Sequence, residues 1–441
     1  MQNTQDLIIK DWEPKIWLIH DAACSEQELG LIKDHLGRLN CRVFPASFDG
    51  KTLPALPARQ LLSVVFYFPH NAPESLAALA QKMRSKLSKI MPAFIAFLPK
   101  DVSESDIAQF DSVLHMPAHP AQLATRLSSL LRLQTMTHEL MLRKRTLASH
   151  FDVPFETETP QLPELRVLFV GKPAPEFMTV LHALDDTEAN LTAAFTSFTA
   201  FDFLHSEIFD AVVISGLNGQ EPALTIASTM RRNSRLFNVP ALLLMPDAKT
   251  SLSTSALERG ITDIIAADSP LDEISGRVLE LARGQRAHEY IRKSFEALDT
   301  KSARHGQAGL YTEKAFNAHL ERNIIDAARR NRPLSVGVMN MSVHPEDGPV
   351  CTEAFITAKI EVESMIGSVI RVQDFAARLS SNRVGVIFPD TLNDDVEMIM
   401  GRLSELIGET IFVDADKQFR MQLTPSSVTE FEDDKIRAAS A

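Results

Sequence analysis

Cysteine is scarce in this chain: Cys24, Cys41 and Cys351 are the only three in 441 residues. They are far apart and odd in number. That excludes a disulfide framework and a Cys-based zinc site, and it fits a reducing cytoplasm. A basic excess is also lacking. Lys and Arg total 45 against 57 Asp and Glu, a formal charge of -12. A broad nucleic-acid surface needs clustered cations, so that function class is set aside. One small anionic ligand held by a few arginines is still compatible. No run approaches the roughly 20 apolar residues of a membrane span. The opening "MQNTQDLIIKDWEPK" has no apolar core of signal-peptide length. The expectation is a cytoplasmic protein without direct membrane insertion, reaching a membrane or cell pole only through partners.

What is present is ordinary globular material: 45% apolar and 23% charged residues. The length suits about three domains. Two segments share one layout. The first carries apolar strands "IWLIH" (16–20), "SVVFYF" (63–68), "PAFIAFL" (92–98) and "SVLHM" (112–116). The second carries "RVLFV" (166–170), "AVVISG" (211–216), "PALLLMP" (240–246) and "DIIAAD" (263–268). Helical patterns separate the strands. Short, wholly apolar strands alternating with helices predict a parallel sheet covered on both faces, so each copy reads as a doubly wound α/β domain.

Both copies resemble the CheY-like receiver domain of two-component signalling, over residues 14–131 and 164–286. The resemblance implies paired acids after strand 1, an acceptor Asp ending strand 3, a Ser or Thr after strand 4 and a Lys before the last Pro. The first copy has His20-Asp21, Phe68, Leu98 and Met116 there, and the second Gly171-Lys172, Ser215, Met245 and Ala267. Phosphoryl transfer needs a carboxylate nucleophile and a cation clamp. Both copies therefore read as pseudo-receivers that offer surfaces for partners or for a homodimer. His20, Asp21, His70 and His115 fall on the C-terminal rim of the first copy. Their spacing matches no metal-ligand pattern, and they read as ordinary rim residues.

The helix after the first copy, "LATRLSSLLRLQTMTHELMLRKRTL", has apolar residues at three- and four-residue steps: Leu123, Leu127, Leu130, Leu133, Met136 and Leu140. Such a stripe suits a partner helix, or its own sheet and the next domain. "FDVPFETETPQLPE" (151–164) reads as a linker. The stretch 289–306 reads as helix giving way to polar residues.

From Gly309 the pattern becomes α+β. Asn393 reads as the N-cap of a helix with Asp394 and Asp395 in its first turn. "GLYTEKAF" (309–316), "RPLSVGVMNMSV" (332–343) and "RVQDFAARLSSNRVGVIFPDT" (371–391) occur in order at nearly the spacing of the GGDEF domain of diguanylate cyclases. The chain resembles that family over roughly residues 300–425. An active member condenses two GTP molecules on metal ions held by carboxylates. Here the strand positions are Asn340 and Ser342, and the hairpin tip is Ser380-Ser381-Asn382-Arg383-Val384. Neither place offers an anionic ligand. The tip glycines are replaced, and the base-reading segment is cut to "HPEDGPVCTEAF" (344–355). No catalytic residues, metal or cofactor are expected.

The resemblance also implies an inhibitory site for the product, cyclic di-GMP, at an Arg-x-x-Asp five residues before the tip. It falls on Arg371 and Asp374, with a further helix arginine at Arg402. A guanidinium fork suits guanine O6 and N7 or phosphate, and a carboxylate can accept from the guanine N1–H and N2–H₂ edge. By chance Arg-x-x-Asp occurs about once in 400 positions, so its register before the hairpin carries the assignment. Arg378, in the hairpin strand, is a weaker candidate for the same ligand, and a structural role is the preferred reading. The end, "VTEFEDDKIRAASA", is short and acidic, so the family's last strand or helix is expected to be altered or missing.

The expected organisation is a degenerate receiver (1–150), a second one (151–298) and a degenerate GGDEF domain (299–441). This resembles the PopA-type cyclic di-GMP effectors of alphaproteobacteria, related to PleD-type response-regulator cyclases. That resemblance implies a non-catalytic adaptor that works at a cell pole in cell-cycle proteolysis, with an RcdA-like adaptor, CtrA and ClpXP as partners. A residual cyclase and a nucleotide-free scaffold are the alternatives.

Overall fold

The computed structural model describes residues 14–39, 41–48, 60–99, 102, 104–116, 118–154, 164–217, 219–246, 252–298, 300–306, 309–415 and 417–430. The linker beyond Pro154 and the tail beyond Glu430 lie outside them.

The first unit runs β1 (Lys15–Asp21), α1 (Glu26–Gly37), β2 (Arg42–Phe48), β3 (Leu61–Tyr67), α2 (Leu76–Lys86), β4 (Ala93–Leu98), α3 (Glu104–Ile107), β5 (Ser112–His115) and α4 (Pro120–His150). Its parallel sheet has the order β2-β1-β3-β4-β5. β3 and β4 are buried along their whole length, as central strands covered on both faces must be, and the one serine, Ser63, donates to the Ala93 carbonyl at 2.8 Å. Ser25 starts α1 with a capping box completed by Glu28.

The second unit repeats the scheme: β6 (Leu165–Val170), α5 (Pro175–Leu184), β7 (Ala189–Ala194), α6 (Ser197–Ser206), β8 (Ala211–Ser215), α7 (Gln220–Arg232), β9 (Ala241–Met245), α8 (Leu252–Glu258), β10 (Asp263–Ala266) and α9 (Leu271–Glu296). The order β10-β9-β8-β6-β7 is the same topology. Both units thus have the doubly wound 2-1-3-4-5 order of CheY-like folds. Each sheet contains a strand that the apolar runs did not announce, β2 in one and β7 in the other. Both are edge strands, pairing on one side only and half exposed, so their sequences are mixed.

The third unit is α+β: β11 (Tyr311–Thr312), α10 (Glu313–Arg330), β12 (Leu334–Val343), α11 (Thr352–Val369), β13 (Phe375–Ser380), β14 (Arg383–Pro389), α12 (Asn393–Gly408), β15 (Ile411–Asp414) and β16 (Lys417–Glu430). Its sheet has the order β11-β13-β14-β12-β16-β15. The last strand is present after all: β16 pairs antiparallel with all of β12, from Leu334 to Val343. The N-cap of α12 is Leu392 rather than Asn393, which is the first helical residue and donates to Glu397 at 2.7 Å.

The third sheet buries one face under α11 and α12, around Val362, Ile366, Phe388 and Met400. Its other face is covered by α10 and by two helices from elsewhere. Met136, Leu140 and Leu147 of α4 join Phe316, Phe375 and Ile387, and so do Ile291 and Phe295 of α9. The stripe on α4 is therefore divided. Leu123 and Leu127 pack in the first unit's own core, and the later turns pack on the third unit. Between the first two units, the buried Asp263 carboxylate accepts from Gln122, from Arg126 at 3.4 Å and from Arg277 at 3.1 Å.

Candidate functional site

α11 ends at Val369 with Ile370 as its extended C-cap, and the chain turns sharply into β13. The Asp374 amide donates to the Arg371 carbonyl at 2.9 Å, closing a four-residue turn. In return the Arg371 amide donates to Asp374 Oδ2 at 3.0 Å. The turn is fixed from outside by Arg143 on α4. Its guanidinium donates to the carbonyls of Val372 (3.3 Å), Gln373 (3.1 Å) and Asp374 (3.3 Å). The same group lies over the Phe295 and Phe375 rings, at 4.6 and 5.2 Å. Glu139 anchors it with a 2.9 Å bond and also meets His319 Nε2 at 2.7 Å. Burial pushes the Glu139 carboxyl up, but His319 and Arg143 outweigh it and hold the pKa below the usual range.

Asp374 is only 4% exposed, and among the described residues its Oδ1 has no hydrogen-bond partner. Burial pushes its pKa up to about 7, against the attraction of Arg371 and Arg143. A buried acceptor without a donor is costly, and such groups in native proteins call for an explanation. Asp374 lines a cavity of about 400 Å³ together with Arg371, Arg143, Arg304, Ser364 and Gly367. The structure thus brings Arg371 and Asp374 to one cavity, with the carboxylate inside and the exposed guanidinium at its edge. Arg402 stands elsewhere. It lies on the exposed side of α12, with Met398 Sδ 3.5 Å from Nη2, and lines neither this cavity nor the larger one beside it.

At the far end of the hairpin, Asn340 sits opposite Arg383 in the β12–β14 ladder. Lys359 donates to the Ser381 carbonyl at 3.0 Å and to Asn382 Oδ1 at 3.1 Å. Arg378 pairs with the buried Glu363 carboxylate, as its structural reading expected. In the shortened loop, Glu346 and Asp347 pair with Arg420 of β16. This end of the hairpin therefore presents cations, and its neighbouring acids are engaged.

The receiver-like rims are likewise committed to internal contacts. Phe68 is buried, and Ser215 donates to Glu176 at 3.1 Å. His70 meets Glu28 at 3.1 Å, while His20 and His115 bond backbone carbonyls. Among the described residues no group of three His, Cys, Asp or Glu is placed to hold a metal.

No family model matches the chain, and no curated protein matches it. Solved structures resemble parts of it. The GGDEF domain of DgcB from Caulobacter crescentus, in complex with c-di-GMP, shares 17% identity over 30% of this chain and 76% of that one, with a TM-score of 0.27. The FimX GGDEF domain from Pseudomonas aeruginosa shares 12% over 30% and 82%, at 0.27. A response regulator from Thermotoga maritima shares 23% over 27% and 98%, at 0.25. Each likeness spans about one unit, and the fold assignment rests on the strand orders given above.

Sequence reasoning missed Arg143 and Glu139. A signal was available: both lie on the α4 face that carries Met136, Leu140 and Leu147, where a charge must be paired to be buried.

Proposed function

We propose that the third unit reads cyclic di-GMP and does not make it. The observation that carries this is the buried, unpartnered Asp374 Oδ1 beside Arg371 in a cavity of about 400 Å³. A guanine edge supplies the donors that the carboxylate lacks, and the Arg371 fork can take O6 and N7 or a phosphate oxygen. The cavity lies within the common size of small-molecule sites. Arg402 is the further arginine that the resemblance implies, but it lines neither cavity and this reading rests on Arg371 and Asp374. The cations at the hairpin tip and the engaged acids around it support a non-catalytic role, since Mg²⁺ needs oxygen ligands.

In this reading the two degenerate receiver-like units present partner surfaces. The ligand site touches them through Arg143, so occupancy biases how the units are held. That suits an adaptor of the PopA type, acting at a cell pole with an RcdA-like adaptor to present CtrA to ClpXP.

Equilibrium titration with cyclic di-GMP tests the reading. Binding by the wild type should weaken about ten- to a hundredfold in Arg371→Ala, the loss of one bidentate contact. Undiminished binding by that variant would sink the site. Mg²⁺-dependent formation of cyclic di-GMP from GTP would favour a residual cyclase instead. Binding of neither nucleotide at micromolar concentration would leave a scaffold.

A further inference from the structure

Among the described residues Arg332 is a buried cation with no ion pair of its own. Asn331 adopts a left-handed conformation (φ 53°) that ends α10, and the Arg332 amide donates back to the Ala327 carbonyl at 2.9 Å. This lays the side chain against the end of the third sheet, where it is 7% exposed. Nε has no partner, and among the described residues the guanidinium forms no hydrogen bond or ion pair. The nearby Asp390 is already taken. It accepts from Arg330 at 3.1 and 3.2 Å and from Thr135 at 2.8 Å. Burial pushes the Arg332 pKa down, with only partial relief from Asp390.

The same end of the sheet opens on a cleft of about 1020 Å³ around the middle of α4, walled by all three units. Two more guanidinium groups line it without a carboxylate partner among the described residues. Arg132 of α4 donates to Asn238 at 2.7 Å, and among the described residues the Arg371 guanidinium makes no hydrogen bond. Burial and the like charge of Arg371 both lower the Arg132 pKa. On α9, His288 has a buried Nδ1 without a partner among the described residues. Other charged groups on the wall are committed or solvated. Asp111 accepts from Arg84 and the Phe94 amide, Arg292 pairs with Glu289 and Glu296, and Asp395 is on the exposed first turn of α12. A buried unpaired charge costs several kcal/mol and mutually repelling arginines add to that, so a packed apolar residue at 332 would give a more stable protein. Retention of such a group is explained when an oxyanion fills the space.

We propose that this cleft binds a phosphate oxyanion, recognised by Arg332 and Arg132 with His288 as an auxiliary donor. The phosphate can belong to the cyclic dinucleotide, reaching in past Arg371, or to a free pyrophosphate-like anion. The first source rests on the function proposed above, and the second does not.

Calorimetric titration of the full chain with inorganic pyrophosphate and with cyclic di-GMP separates these sources. The variants are Arg132→Gln, Arg332→Met and Asp374→Asn. Arg132→Gln and Arg332→Met should each weaken at least one of the two anions about tenfold or more. If the phosphate is the dinucleotide's, both variants weaken cyclic di-GMP. If it is free, pyrophosphate binds the wild type, loses affinity in both variants and keeps it in Asp374→Asn. Arg332→Met should also melt at a higher temperature than the wild type, an outcome that a merely structural arginine would reverse. The inference is overturned if neither variant weakens either anion, or if the wild type binds neither. It stands, and the guanine reading alone fails, if Asp374→Asn and Arg371→Ala keep full affinity for cyclic di-GMP while Arg132→Gln loses pyrophosphate. Arg132 is much less enclosed than Arg332, so its variant carries the test even where Arg332→Met folds poorly.

Discussion

Arg143 donates to the main-chain carbonyl of Asp374 at 3.3 Å, across 231 residues of chain. The helix that leaves the first unit thereby shapes the turn that presents Asp374. Arg143→Lys keeps the charge but cannot span three carbonyls with a planar fork. Its affinity for cyclic di-GMP should fall about tenfold, although Arg143 need not touch the ligand. Calorimetry on Arg143→Lys beside Arg371→Ala would check this, and an unchanged affinity would remove Arg143 from the site.

Asp374 should make binding depend on pH near neutrality. Its folded pKa is raised to about 7, so the free protein holds a neutral carboxyl below that pH. A guanine edge that donates two hydrogen bonds needs the carboxylate. Affinity should therefore fall about tenfold from pH 8 to pH 6, with a proton released on binding at the lower pH. Asp374→Asn should bind weakly with a flat profile.

The same group should act on stability with the opposite sense. Because the folded pKa lies above the unfolded one, its stabilising contribution is complete below about pH 4 and is lost as pH rises to about 7. The upper bound is on the order of 4 kcal/mol, from about three pKa units. Denaturant titrations at pH 5 and pH 8 should show the wild type losing more stability than Asp374→Asn over that interval.

Two buried ion clusters should be costly to break. Glu139→Ala leaves Arg143 and His319 without their shared acceptor inside the α4–α10 contact. Asp263→Ala does the same to Arg126 and Arg277 between the first two units. Each should lower unfolding stability by about 3–5 kcal/mol. Loss confined to the domain contact, seen as a second transition in calorimetry, is expected for Asp263→Ala in particular.

The sequence made the central strands plain, because β3, β4, β8 and β9 are apolar but for Ser63 and Ser215, as strands covered on both faces must nearly be. Edge strands β2 and β7 were not legible, since most of their residues are exposed or only partly buried and their sequences are mixed. The Arg371–Asp374 turn was legible because its geometry is local, four residues closed by their own hydrogen bonds. Its support was not. Arg143, Glu139 and His319 meet only after two helices from distant parts of the chain pack together. The unpaired state of Arg332 depends on which neighbour claims Asp390, which spacing cannot tell.

The course of α4 also sets a schedule for biosynthesis. Met136, Leu140 and Leu147 find their cover on a sheet whose strand β13 follows Arg143 by more than 200 residues. At about 5–20 residues per second, that apolar surface waits on the order of ten to fifty seconds after synthesis. A nascent chain of this protein therefore carries a completed first unit with an adhesive helix projecting from it. General chaperones should be found on ribosomes that have passed α4 and have not yet made β13.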